Sequence, residues 1–152
     1  MDRIIYASTL LFNQTHEMVA LVKKKEPAHF AYKYNSIIGR VQDGESTYDA
    51  ACRVFKGETT VAFTDWQETV VLTCPHIRIH FYRGFCQKSI WELTQQRDEE
   101  IHRVPARRIN EHDLVGNLRW IIPLCLDEHI RLPIEVYDPV MEESKVHPNQ
   151  GS

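Results

Sequence analysis

Two apolar runs open the chain, separated by a polar break. Ile4-Ile5-Tyr6-Ala7-Ser8-Thr9-Leu10-Leu11-Phe12 is followed by Asn13-Gln14-Thr15-His16-Glu17, which has turn composition, and then by Met18-Val19-Ala20-Leu21-Val22. Short apolar runs around such a break predict a β-hairpin over residues 3–12 and 17–23. Lys23-Lys24-Lys25-Glu26-Pro27 reads as a polar loop, and a further extended stretch is expected from Tyr34 to Val41, closed by Gln42-Asp43-Gly44. Thr69-Val70-Val71-Leu72 reads as a strand. From His76 to Tyr82 the pattern alternates, with Ile77, Ile79 and Phe81 on one face and His76, Arg78, His80 and Tyr82 on the other.

The period changes after Gly44. Ser46 is a good N-cap, and Asp49 three residues later completes a capping-box pattern. In the segment that follows, Ala50 and Val54 share a face, as do Ala51 and Phe55, so a helix begins here. A second helix is predicted over residues 114–130, kinked near Pro123. Residues 142–152 are polar, with Pro148 and Gly151, and read as a loose tail behind one domain spanning residues 1–141.

A chain of 152 residues with 43% hydrophobic and 26% charged residues has the composition of one globular domain and not of a disordered chain. The net charge of −3 comes without a basic stripe, which argues against non-specific nucleic-acid binding. A single nucleotide, needing only a few local cations, stays within reach. Cys52, Cys74, Cys86 and Cys125 lack CxxC spacing and are too sparse for a disulfide framework. The opening apolar run ends without a small-residue cleavage site and reads as a buried strand rather than a signal peptide. No apolar run approaches the roughly 20 residues that span a bilayer. The expected compartment is the reducing cytoplasm.

Gly39, Glu45 and Arg53 stand five and seven residues apart, and Phe55, Glu58 and Val61 follow. This spacing resembles the Nudix box: Gly, five residues, Glu, seven residues, Arg-Glu, an apolar residue, any residue, Glu-Glu, any residue, Gly and an apolar residue. The likeness extends beyond the box. Val19-Ala20-Leu21-Val22-Lys23-Lys24 is similar to the strand before it in phage- and bacterial-type Nudix proteins. Trp66 resembles the aromatic after it, and Asn117-Leu118-Arg119-Trp120-Ile121-Ile122-Pro123-Leu124 resembles the closing helix. The resemblance covers residues 3 to about 130 and implies a Nudix-type α/β/α sandwich with a mixed β-sheet. It also implies that Glu45 and Arg53 pair across the junction of the box loop and its helix.

The same resemblance places metal-binding carboxylates at the positions of Val54, Gly57 and Glu58. Residues at i, i+3 and i+4 of a helix share one face, so three glutamates there would converge on Mg²⁺ bridging a pyrophosphate. This chain keeps only Glu58. The glycine near the end of the box is replaced by Thr60, a β-branched residue poorly suited to positive φ. Gly57 is therefore expected to end the helix about one turn early. Asp98-Glu99-Glu100 resembles an acidic segment that adds a metal ligand or base in some Nudix enzymes, so Glu58, Glu99 and Glu100 are the candidate catalytic and Mg²⁺-binding residues. The bland reading of that segment is a solvated acidic turn.

Four further residues are candidates for ligand contact. Lys23 and Arg40 flank the position expected for a pyrophosphate, or are plain surface charges. Arg78 lies on the face with His76 and His80, which offers a phosphate wall, a solvated surface or a homodimer contact. It offers no shared metal, because His76 and His80 lie about 13 Å apart at ~3.3 Å per strand residue. Trp120 lies one helical turn from Asn117, so the pair would meet a nucleobase, or Trp120 packs in the core beside Ile121 and Leu124. The expected function is binding of a nucleotide or nucleoside-diphosphate derivative, or of a protein partner, on a weakened Mg²⁺ site. The alternative is a divergent Mg²⁺-dependent pyrophosphohydrolase acting on a nucleoside diphosphate linked to another group.

Overall fold

A computed structural model describes residues 2–24, 33–87 and 99–141. The predicted hairpin is present as β1 (Ile4–Asn13) and β2 (Met18–Lys24). Its turn is held by Asn13, whose Oδ1 accepts from the backbone N–H groups of Glu17 at 2.8 Å and Met18 at 2.9 Å. The strands pair only near the turn, at Leu11–Ala20 and Phe12–Val19. Beyond it a broken strand fills the gap between them. β3 (Tyr34–Asn35) pairs with β2, and after a break at Ser36, β4 (Ile37–Arg40) pairs with β1. Buried hydroxyls close this junction: Ser8 Oγ donates to Ser36 Oγ at 2.6 Å, and Thr9 Oγ1 donates to the Ile37 carbonyl at 3.0 Å. The end of β4 thereby delivers Gly39 and Arg40 to the loop that starts the helix.

On its other edge β1 runs parallel to β6 (Ile77–Cys86), which pairs with β5 (Gln67–Thr73), and β5 runs parallel to β8 (Ile134–Tyr137). β7 (Glu99–Pro105) lines the far edge of β2. The result is an eight-stranded mixed sheet. Helix α1 (Thr47–Thr59) packs on one face through Ala50, Ala51, Val54 and Phe55, against Ala7, Leu11, Ala20, Val22 and Ile37. A 3₁₀ helix (Ala106–Glu111) and helix α2 (Leu118–Cys125) cover the other face, where Ile109, Leu118, Ile121 and Ile122 meet Leu10, Leu72, Ile79 and Phe81. Helices on both faces make the expected α/β/α sandwich.

Several expectations are corrected. Helix α1 does not stop at Gly57. It runs through Thr59, and Thr60 forms its C-cap at φ 67°, with its N–H bonded to the Lys56 carbonyl at 2.8 Å. Gly57 sits in open space with ordinary helical geometry, so glycine here costs propensity without breaking the helix. The second helix is shorter than residues 114–130. Leu114 joins a bridge to Tyr34, and the helix ends at Cys125 because residues 126–130 turn toward β8. The acidic segment is no solvated turn, since Glu99 and Glu100 begin β7, drawn into the sheet by the free edge of β2. Tyr82 is buried at 5% exposure, because α1 covers that end of the polar face. The strand character of β7 and β8 was not anticipated. Asp98, the lysine loop from Lys25 onward and the tail over residues 142–152 lie outside the described residues.

Candidate functional site

The loop–helix junction is built around Arg53. Its Nε donates to Glu45 Oε2 at 2.8 Å, and its Nη2 donates to Glu45 Oε1 at 3.0 Å and to the Arg40 carbonyl at 2.8 Å. Glu45 Oε1 also accepts from the Gln42 N–H at 3.0 Å. These bonds tie the end of β4, the loop and the helix into one unit. The hydrogen bonds from Arg53 hold the Glu45 carboxyl below the usual carboxylate range, against a small opposing effect of burial. Ser46 caps the helix, accepting from the Asp49 N–H at 3.0 Å. The pair is partly buried, with side-chain exposures of 41% for Arg53 and 15% for Glu45.

One turn along the helix, the positions that the resemblance assigns to metal ligands diverge. Val54 is buried in the apolar cluster, and its Cγ2 lies only 2.7 Å from where a Cβ would stand on Gly39. Only glycine lets β4 approach the helix this closely, and the isopropyl group fills the space between them. Gly57 offers no donor. Glu58 is half-buried on α1. Glu100 is not on the same side of the sheet as the helix. In β7 it has the parity of Val104, which belongs to the cluster opposite α1, whereas Ile101 packs with the α1 cluster. Glu99 precedes Glu100 in β7, and its side chain lies outside the described atoms. Among the described residues no group of three or more His, Cys, Asp or Glu side chains is placed to hold a metal ion.

The face opposite α1 gathers another set. Register places Lys23 between Tyr34 and Glu100 across three strands. The Lys23 ammonium lies 4.8 Å from the Tyr34 ring centroid, and His102 and His112 each meet that ring edge-on at 5.3 Å. His102 Nε2 is buried without a hydrogen bond; Glu100 Oε2 is 3.5 Å away, within ion-pair reach but out of alignment. Beside this cluster, Asn35, Ser36, Ile38, Leu72, Ile79, Phe81 and Asn117 line an apolar pocket. Asn117 stands at its rim, fully engaged: Oδ1 accepts from Trp120 Nε1 at 2.7 Å, and Nδ2 donates to Asp138 Oδ2 at 3.1 Å. Trp120 is 37% exposed and not a core residue, since it sits on the outer side of α2 while Ile121 and Ile122 turn inward.

Arg78 belongs to neither place. On β6, beyond the area that α1 covers, Arg78 Nε donates to Thr73 Oγ1 at 3.2 Å and His80 Nδ1 lies 2.8 Å from Glu68 Oε2. With Glu135 and Tyr137 these residues line an open trough of about 520 Å³. Its mixed charge weakens the reading of a phosphate wall. Of the sequence candidates, the structure thus joins Arg40 to Glu45 and Arg53, and Lys23 to Glu100. It leaves Arg78 and Trp120 in other places, Arg78 on the β6 trough and Trp120 beside Asn117. Met141, which lines the pocket, and Asp138, which bonds Asn117 at its rim, had no sequence signal, because nothing in the pattern places residues after β8 against α2.

No family model and no curated protein sequence matches the chain. Solved structures do. Over 90% of this chain and 91% of the other, it superposes on MutT from Bacillus halodurans with a TM-score of 0.71 at 14% identity. A MutT structure from work on Aliivibrio salmonicida and Vibrio cholerae gives 0.68 at 16% identity, over 80% of this chain and 95% of that one. The Nudix domain of Shewanella oneidensis NrtR, complexed with ADP ribose, gives 0.65 at 12% identity, over 83% and 88%. The fold is therefore the Nudix fold.

Proposed function

We propose that this Nudix-fold chain binds a nucleotide or nucleoside-diphosphate derivative on a site with little or no hydrolytic power. The observation that carries the reading is Val54, an apolar side chain packed on Gly39 where the family resemblance expects a metal-binding carboxylate. A hard cation such as Mg²⁺ takes oxygen ligands, and neither Val54 nor Gly57 supplies one. The donor set does not fit a three-carboxylate centre. The loop–helix frame that would cradle a pyrophosphate is nevertheless intact, and Arg40, at the end of β4, is the cation we assign to the phosphates, whereas Lys23 lies beside Tyr34 on the face opposite α1. The pocket rimmed by Asn117 is the place we assign to the base, with Trp120 orienting that amide. NrtR was captured with ADP ribose, which supports this ligand class. The four cysteines are free, and no helix among the described residues is long and apolar enough to cross a membrane, which fits our placement in the cytoplasm.

A thermal-shift screen of nucleotides, run with and without Mg²⁺, tests the reading, since a ligand bound only by the folded state raises stability by RT ln(1 + [L]/K_d). Stabilisation by a nucleoside diphosphate derivative without Mg²⁺, and turnover near background with it, is the expected result. Turnover at an ordinary enzymatic ~1–10³ s⁻¹ would overturn it. The second reading, a divergent Mg²⁺-dependent pyrophosphohydrolase, draws on Glu58, half-buried on α1, and on the acidic start of β7 at Glu99. Mg²⁺ often needs only one or two protein carboxylates beside phosphates and water. Loss of any measured turnover in Glu58→Gln or Glu99→Gln would establish that alternative.

A further inference from the structure

The pocket assigned to the base is nearly full. Only about 20 Å³ remains in it, against roughly 300 Å³ or more for ordinary small-molecule sites. That is room for one water and not for a nucleobase. The chain itself takes the space. After β8, residues 138–141 cross back over the pocket, and Met141 lies along its wall with its methyl group 2.8 Å from where a Cβ would stand on Gly116. Gly116 has φ 54°, so the turn into α2 and the seat for this methyl group depend on the same residue.

The crossing segment is anchored at its start. The Asp138 N–H donates to the Thr73 carbonyl at 2.9 Å, extending the β5–β8 ladder by one bond. Asp138 Oδ1 accepts from the Val140 N–H at 3.0 Å, which bends the chain back toward α2, and Oδ2 accepts from Asn117 Nδ2 at 3.1 Å. The same aspartate thus folds the strap and occupies the amide at the pocket rim. Val140, by contrast, is 76% exposed and holds nothing down. The strap has one polar latch, Asp138–Asn117, and one apolar plug, Met141. Methionine suits a plug that comes and goes, being unbranched and able to repack at low cost.

We propose that residues 138–141 form an autoinhibitory strap, with Met141 plugging the pocket and Asp138 latching it to Asn117, so that a planar aromatic ligand enters only when the strap is released. The identity of that ligand rests on the nucleotide reading above; the strap itself does not. Its test therefore begins with indole, an aromatic of nucleobase size with no phosphate. Indole should bind Met141→Ala and Asp138→Ala in millimolar titrations and leave the wild type untouched. Binding to neither variant, in proteins that still melt cooperatively, overturns the strap as a plug, as does equal binding to wild type and variants.

Methyl NMR of the full chain labelled at its three methionines supplies the second measurement, with Met141 assigned through Met141→Leu. Its methyl resonance should stand away from the solvent-exposed position in the free protein. On saturation with ADP ribose it should move to that position, and Met141→Ala should bind ADP ribose more tightly, by about tenfold if the open form is a tenth of the population. ADP ribose bound with the Met141 resonance unmoved and its affinity unchanged in Met141→Ala overturns the strap alone. Indole entering the variants while no nucleotide binds wild type or variant supports the strap and overturns the nucleotide reading alone.

Discussion

The first and second halves of the box helix differ in what they have kept. From Gly39 to Arg53 every group that shapes the junction is present and bonded: the glycine under the helix, the Ser46 cap, and the Glu45–Arg53 pair with its reach to the Arg40 carbonyl. From Val54 to Thr60 only Glu58 stands of the three acids the resemblance expects, yet the helix keeps its length and closes at Thr60 in the left-handed region. The architectural half cannot be edited without loosening the loop. In the other half Val54 packs on Gly39 and Gly57 stands in open space, so neither position is held by a polar partner. Different residues thus serve the two ends, and the shape of the helix does not depend on acids at its second half.

The largest expected effect tests the frame. Arg53→Ala removes three charge-assisted hydrogen bonds, two of them to a carboxylate, and should cost about 1–2 kcal/mol in urea melts. That is below the 3–5 kcal/mol of a fully buried pair, because Arg53 is 41% exposed. A loss under a few tenths would mean that the first half is as dispensable as the second. Acid should sharpen the result. The Glu45 carboxyl is depressed in the folded protein, so its stabilisation is present above the usual carboxylate pKa of 4.5 and fades as pH falls through the lower folded value. The stability gap between wild type and Arg53→Ala should therefore narrow as pH falls below 4.5, leaving the share of the bond to the Arg40 carbonyl.

The second half should tolerate change, and in places improve. Thr60→Gly should stabilise by about 1 kcal/mol, because a β-branched residue at φ 67° pays a steric cost that glycine does not. Gly57→Ala should gain roughly 0.4–1 kcal/mol, since the site is helical and a Cβ there meets nothing within 4 Å. Destabilisation by Gly57→Ala in a thermal melt would restore the early helix end. Smallest in stability but most informative in function is Gly57→Glu, which open space should accommodate with a change inside about 0.5 kcal/mol. Calorimetric titration should find tighter Mg²⁺ binding in this variant than in wild type, with no gain if Glu58 is turned away from the new carboxylate.

Much of the molecule was legible in one dimension because it rests on local rules. The hairpin follows from two apolar runs and an asparagine turn, α1 from Ser46 and a helical period, and the pairing of Glu45 with Arg53 from the family resemblance that their spacing carries. The alternation of Ile77, Ile79 and Phe81 correctly named a buried face. What was missed depends on neighbours distant in sequence. Glu99 and Glu100 became strand because β2 offered an open edge, and the parity of β7 then sent Glu100 to the side away from α1. Trp120 has the composition of a core residue, yet α2 buries Ile121 and Ile122 first and leaves the indole at the surface with Asn117. The strap is the clearest case, since Asp138 and Met141 have no periodicity to announce them. The sequence by itself determined the hairpin, α1 and the buried face of β6, and through the family resemblance that the box keeps one acid of three, because apolar period and side-chain chemistry are local properties. Only the tertiary structure decided which face each acid occupies and what fills the pocket, because strand pairing and the return of the chain over α2 are set by contacts between residues far apart along it.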